Sequence, residues 1–291
     1  MSDAMTEPRP VLLAVLAHPD DESFGMGGTL ALYARRGAEV RLVCATRGEE
    51  GEIDPEFMEG FANKEARREY ELDCAAKALG LTSVDLMDYR DSGMPGTEAN
   101  RHPRALANVP LDEVVVKVVG YMRKYRPQVV ITFDPIGGYR HPDHIAIHKA
   151  TVLAFEKAGD PSLKTGDLPP YQPQKLYFHT ISRGFLRFVV RLLPLFGRDP
   201  TRWGRNNDIN LMELAVSDFP VHAEVDFREV SRRKAEAAAC HASQGGSAMT
   251  RGFMGWVQRM MTGREVFMRH YPPPQPGEKE KDLFAGVSLL K

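Results

Sequence analysis

Two short segments of the chain hold residue types that do chemistry together. Ala17-His18-Pro19-Asp20-Asp21-Glu22 and His141-Pro142-Asp143-His144 each carry a His-Pro-Asp unit, and together they supply three histidines and three aspartates. A catalytic zinc takes three protein ligands from imidazole and carboxylate groups and keeps one position open for water. His18 and Asp21, three residues apart across a tight turn, can clasp one ion, and His144 can complete the set from the second segment. Asp20, beside a ligand but aimed elsewhere, is then free to take a proton from water. The chemistry these residues suit is zinc-assisted hydrolysis. A plainer reading makes each Asp a helix cap and each His a bystander. The recurrence of the unit weighs against it.

Such a site needs elements that bring the two segments together. The first segment follows Val11 to Ala17 (VLLAVLA), an unbroken apolar run that reads as a strand buried on both faces. The second follows Val129 to Phe133 (VVITF) after the loop Asp134-Pro135-Ile136-Gly137-Gly138-Tyr139-Arg140. In an open α/β sheet the carboxyl ends of the strands line the ligand crevice, so both segments can face one site. Further strands are expected at Val40 to Ala45, Val84 to Met87 and Lys175 to His179, and helices at Gly27 to Arg36, Lys64 to Leu79, Leu111 to Tyr125 and His144 to Glu156. This alternation predicts an α/β fold, a Rossmann-like, mostly parallel sheet flanked by helices. Residues 1–180 are expected to form the core, and 181–291 a smaller C-terminal portion packed on it.

Beyond Thr180 the pattern changes. Gly184 to Gly197 (GFLRFVVRLLPLFG) is strongly apolar, with Arg183, Arg187 and Arg191 four residues apart on one helical face. It reads first as a core or subunit-contact helix, next as a lid over the crevice, and last as a helix lying on a membrane surface. Pro194 limits it to about two turns after Arg187. Ser231 to Ala242 is helical, and Arg251 to Tyr271 is rich in Met and aromatic residues. Pro272 to Pro274 open a polar tail expected to be loosely ordered.

Composition narrows the class. The chain has 291 residues, 43% of them hydrophobic and 26% charged, with 38 Lys and Arg against 39 Asp and Glu. That balance lacks the basic excess of a nucleic-acid binder. No apolar run approaches the ~18 residues of a membrane span. Three scattered cysteines, Cys44, Cys74 and Cys240, read as packed thiols without a disulfide framework. With no secretory signal pattern at the start, the expected place is the cytoplasm. The apolar C-terminal surfaces predict a homo-oligomer.

The motifs AHPDDE and HPDH, each after its expected strand, resemble those of the PIG-L/LmbE-like zinc-dependent de-N-acetylases. Supporting matches are Gly48-Glu49-Glu50-Gly51-Glu52, Arg68 with Glu71, Tyr89-Arg90-Asp91-Ser92-Gly93-Met94, Lys234, and His241-Ala242-Ser243-Gln244. The branch it most resembles comprises the N-acetylglucosaminyl deacetylases of mycothiol and bacillithiol synthesis. The resemblance implies one zinc per chain on His18, Asp21 and His144, with Asp20 as general base. It implies His141 as general acid or oxyanion partner, Asp143 orienting the His141 ring, and Tyr139 polarising the carbonyl. Glu52, Arg68 and Asp91 match positions that contact sugar hydroxyls. The implied activity is removal of an N-acetyl group from an N-acetylglucosamine-type glycoside, a small-molecule amino sugar, releasing acetate and a free amine.

Other residues read differently when taken alone. His148, four after His144, is expected to support the site or the core rather than bind metal. His241 could reach the site or serve as a core or capping residue. Arg68 alone reads as a helix salt-bridge partner, and Asp91-Ser92-Gly93 as a turn. Rival functions are an amidase for a larger acyl group or thiol conjugate, a two-metal phosphoesterase, and a non-catalytic sugar-binding module.

Overall fold

Five apolar runs form the parallel part of one seven-stranded sheet. The computed structural model describes residues 8–180, 183–202, 210–216, 219–246 and 263–289. The strands are β1 (Val11–Leu16), β2 (Glu39–Thr46), β3 (Ser83–Tyr89), β4 (Val129–Phe133), β5 (Lys175–Thr180), β6 (Ala223–Asp226) and β7 (Arg264–Tyr271). Their order is β3-β2-β1-β4-β5-β7-β6. β1 pairs parallel with both β2 and β4, β2 with β3, and β4 with β5. β7 runs antiparallel to β5 and to β6. One strand is therefore reversed in a sheet of otherwise common direction.

The helices are α1 (Asp21–Phe24), α2 (Gly27–Arg35), α3 (Lys64–Leu79), α4 (Leu111–Tyr125), a kinked turn α5 (Gly137–Arg140), α6 (Pro142–Lys157), α7 (Arg183–Leu192), α8 (Leu211–Val216) and α9 (Ser231–Cys240). α3 begins where Asn63 accepts the Ala66 N–H at 2.9 Å and ends at Gly80, whose φ of 80° suits a left-handed cap. α4 buries Val114, Val115, Val118, Val119 and Met122, a stripe of helical period facing the sheet. Leu12 to Leu16 of β1 are fully buried, so the central strand is covered on both faces. Each buried Leu or Val there contributes about 1.5–3 kcal/mol.

Sequence and structure diverge after residue 180. Neither β6 nor β7 was expected, yet both extend the same sheet. The Met- and aromatic-rich stretch lies outside the described residues up to 262, and its end, Arg264–Tyr271, is β7. α7 stops at Leu192 with Pro194 in the 3-10 turn that follows, as the proline demands. The tail is not loose: Glu280 accepts hydrogen bonds from Lys175 Nζ at 2.6 Å and Arg269 Nη1 at 2.7 Å, and Leu283 is fully buried.

The cysteine expectation holds for Cys44, a buried free thiol. It fails for Cys74 and Cys240, which form a disulfide across 166 residues of sequence. α3 and α9 pack side by side, bringing the two Cα atoms to 5.7 Å. Among the described residues, no helix is long and apolar enough to cross a membrane.

Candidate active site

β1 and β4 are neighbours, and the chain moves outward from them in opposite directions. Their carboxyl ends define the switch point at which open α/β sheets bind ligands. Both His-Pro-Asp corners emerge there.

At the first corner the His18 N–H donates to Asp21 Oδ2 at 2.7 Å, which aims the Asp21 carboxylate back across the turn. Asp20 has φ 116°, a left-handed conformation costing an L-residue about 1–3 kcal/mol. Its neighbours hold it there. The Asp20 N–H donates to Glu22 Oε2 at 3.0 Å, and its carbonyl accepts from Ser23 and Phe24. The Arg68 guanidinium, buried beneath, donates to the Pro19 carbonyl and to Asp20 Oδ2 at 3.1 Å.

The second corner is built by Gly137 and Gly138, with φ 67° and 65°. A Cβ on Gly137 would also meet the His144 Cβ at 2.8 Å, so only glycine fits. The Asp134 carboxylate pins the loop by accepting from the Gly138 N–H at 2.9 Å. Pro142 opens α6, where its missing N–H costs nothing. His141 caps that helix: its Nδ1 accepts from the Asp143 N–H at 3.2 Å. The proton of the neutral His141 ring therefore sits on Nε2.

The corners meet in a cluster of donor atoms. His18 Nδ1 lies 3.2 Å from His144 Nε2, His144 Nε2 3.3 Å from Asp21 Oδ1, and His18 Nδ1 3.6 Å from Asp21 Oδ2. Ligands about 2.0–2.1 Å from a tetrahedral ion stand about 3.3 Å apart. The residues fit a metal of that kind. His18 also groups within 4.8 Å with His141 and His144, and with Asp91 and Asp143. A ligating imidazole uses one nitrogen and gives the N–H of the other to a carboxylate. His18 suits this arrangement: its Nε2 lies 3.2 Å from Asp143 Oδ2 and 3.5 Å from Asp91 Oδ1, so Nδ1 would be the nitrogen available to an ion.

Electrostatics follow from burial and neighbours. Burial opposes charge on His18, but Asp91, Asp143 and Asp21 outweigh it and hold the ring well above its usual range. Burial likewise opposes charge on Asp21, and His144 and His18 outweigh it, keeping the carboxylate ionised. Asp20 is pushed up to about 6 by burial, against the pull of Arg68. Burial, then His18 and His144, push His141 down to about 2. Burial raises the Tyr139 hydroxyl, which stays protonated. The Tyr139 ring centroid stands 5.0 Å from that of His144 and 5.8 Å from that of His141.

His18, Asp20, Asp21, Tyr139, His141, Asp143 and His144 thus converge as the motifs predict. Asp143 and the three residues matched to sugar-contact positions make the following contacts. The Asp143 carboxylate meets His18, not His141; only its backbone N–H reaches the His141 ring, because the cap geometry directs that group inward. Asp91 is drawn behind His18 and Arg68 beneath Asp20, both almost fully buried. The Glu52 side chain is exposed, and its described contact is through its carbonyl, which accepts from Gln244 at 3.2 Å. His148 is turned away, its Nδ1 2.8 Å from the Phe133 carbonyl.

Two supporting groups carried no chemical signal of their own. Ser92 donates its N–H to Asp143 Oδ2 at 2.8 Å and its hydroxyl to Oδ1. Glu22, the last residue of the first motif, pairs with the buried His241 at 2.7 Å. Only its place in the motif marked Glu22.

The class follows from comparison of this site-bearing region with protein families. Residues 13–155 match the GlcNAc-PI de-N-acetylase (PIG-L) family, and the chain belongs to it. Among its relatives, the 1D-myo-inositol 2-acetamido-2-deoxy-alpha-D-glucopyranoside deacetylase of Geodermatophilus obscurus is 38% identical over 97% of this chain and 99% of its own. The N,N'-diacetylchitobiose deacetylase of Pyrococcus horikoshii shares the fold with TM-score 0.61 at 20% identity, covering 89% of this chain and 83% of that one. So does the 4-carboxy-2-hydroxymuconate hydratase of Pseudomonas putida, with TM-score 0.58 at 18% identity, covering 91% and 98%. One fold therefore carries different reactions, and the reaction has to be argued from the site.

Proposed function

We propose that this chain hydrolyses the N-acetyl group of an N-acetylglucosamine glycoside, with one zinc ion per chain held by His18, Asp21 and His144. The observation that carries the reading is that His18 Nδ1 and His144 Nε2 lie 3.2 Å apart with the Asp21 carboxylate 3.6 and 3.3 Å from them, and that Arg68 holds Asp20 beside them. The printed activity of the 38% identical relative supports the acetylated amino sugar. When bound, the metal supplies Lewis acidity toward water and toward the amide carbonyl.

The chain's own groups do the rest. Asp20 accepts one proton from the water that adds to the amide carbon. The His141 Nε2–H and the Tyr139 hydroxyl donate to the carbonyl oxygen as it gains negative charge, each such donor being worth about 100- to 1,000-fold in rate. The C–N bond then breaks, and the proton held by Asp20 passes to the departing nitrogen. Acetic acid and a free amine leave, and the acid gives up water's second proton to become acetate. His141 works as a neutral donor: its pKa of about 2 makes an imidazolium inaccessible near neutrality, and a nearby cation pushes the same way.

Acetate release from a panel of N-acetylglucosaminides, the inositol glycoside among them, tests the reading on protein of measured metal content. We expect acetate with about one zinc per chain, metal loss in His144→Ala, and retained metal with most turnover lost in Asp20→Asn. A fully metallated protein that releases no acetate from any member overturns it.

A further inference from the structure

α7 turns two different faces outward and inward. Leu186, Val190 and Leu193, spaced as one helical stripe, pack with Leu211, Leu214, Ile136 and Tyr139. The opposite stripe is Arg187, Phe188, Arg191 and Leu195. Phe188 is 44% exposed and Leu195 78%, with both arginines exposed between them. Residues 181–202 carry five arginines and a single acid, Asp199, in a chain whose net charge is −1. Arg198 and Arg202 are exposed as well.

Such a face is costly in plain water and unsuited to self-association. A two-fold pairing of this stripe would set Arg187 and Arg191 against their own copies without an acid on the helix to answer them. The inner stripe is accounted for by the apolar cluster it forms with α8, Ile136 and Tyr139, which leaves the outer one unexplained. Cations alternating with an aromatic and a leucine match a surface that is anionic outside and apolar a few ångströms below. The arginines meet the lipid phosphates while Phe188 and Leu195 enter the acyl boundary.

We propose that the outer face of α7 and the turn after it dock on an anionic lipid bilayer, holding the enzyme peripherally at a membrane surface. The inner stripe of the same helix shares one apolar cluster with α8 and with Tyr139 beside the site.

The test is co-sedimentation of the whole protein with vesicles of phosphatidylcholine alone and of equal parts phosphatidylcholine and phosphatidylglycerol. The protein is expected to sediment with the anionic vesicles at low salt, to release as salt rises, and to ignore the neutral ones. The double variant Arg187→Glu/Arg191→Glu is expected to partition at least about 30-fold less, and Phe188→Ser several-fold less. Circular dichroism and turnover of a soluble glycoside should match the parent in both, since none of these side chains touches the cluster. No sedimentation with anionic vesicles at low salt overturns the proposal, as does equal sedimentation of the double variant. A change of oligomeric state in that variant, with vesicles ignored by the parent, assigns the face to subunit contact instead.

Discussion

Asp143 Oδ2 lies 3.2 Å from His18 Nε2, joining a residue that follows β4 to one that follows β1. Asp143 is fully buried, and Ser92 donates to both of its oxygens. The carboxylate is thereby locked against the Nε2 of His18, the ring proposed to hold the metal. Replacing Asp143 by Asn should weaken metal binding about 10- to 100-fold. Competition with a chelator measures this. Unchanged affinity with lowered turnover would return Asp143 to the service of His141.

Asp20 should govern the acid side of the activity profile. Its carboxyl is pushed up to about 6 by burial, and a cation close by draws it down. Activity as base requires the ionised form, so kcat/KM should rise with pH through a value at or below about 6. The Asp20→Asn variant should lose about 100- to 10,000-fold in rate, and that limb with it. A limb that persists in the residual activity of the variant belongs to another group.

The Glu22–His241 pair should make stability depend on pH in two directions. His241 is raised above its ordinary 6.5 by Glu22, against the opposing effect of burial. Its contribution is complete below 6.5 and is lost as pH rises through the raised value. Glu22 is lowered from 4.5 because His241 outweighs burial, and its contribution is complete above 4.5 and lost as pH falls through the lowered value. The gap between parent and Glu22→Gln should therefore be widest between those two limits, at about 3–5 kcal/mol. Urea unfolding at pH 5.5 and pH 9 is expected to show it narrower at the higher pH.

The Cys74–Cys240 bond closes a long loop between α3 and α9. Its removal in Cys74→Ser/Cys240→Ser should cost about 2–4 kcal/mol. Reducing the parent protein should give the same loss, read by denaturant midpoint. An intact mass with all three thiols free would remove the bond from the account.

What could be read in advance depended on how local its cause was. β1 and β4 are apolar throughout, and their burial on both faces leaves no other reading. The corners were legible because His, Pro and Asp recur at fixed spacing. β7 was hidden because its inward face alternates Glu265 and Arg269 with Phe267, so charge stands where hydropathy predicts apolar residues. Those charges have partners outside the strand: Lys234 for Glu265, and Glu278 and Glu280 for Arg269. The disulfide and the two carboxylates behind His18 were hidden for the same reason. Each is a contact between segments with no local pattern in common.

Glu265 carries one more consequence. From β7 it accepts the N–H groups of Gly28 and Thr29 at 3.0 and 2.6 Å, finishing the start of α2. Tyr33 of that helix donates its hydroxyl to Asp282 and accepts the Leu283 N–H. The family-matched stretch 13–155 is therefore not a detachable part. A chain cut at 180 would keep every side chain of the cluster yet leave the first crossover helix with buried, unanswered donors. On the ribosome, the reactive corner is spelled early and completed late: it waits for β7 to emerge.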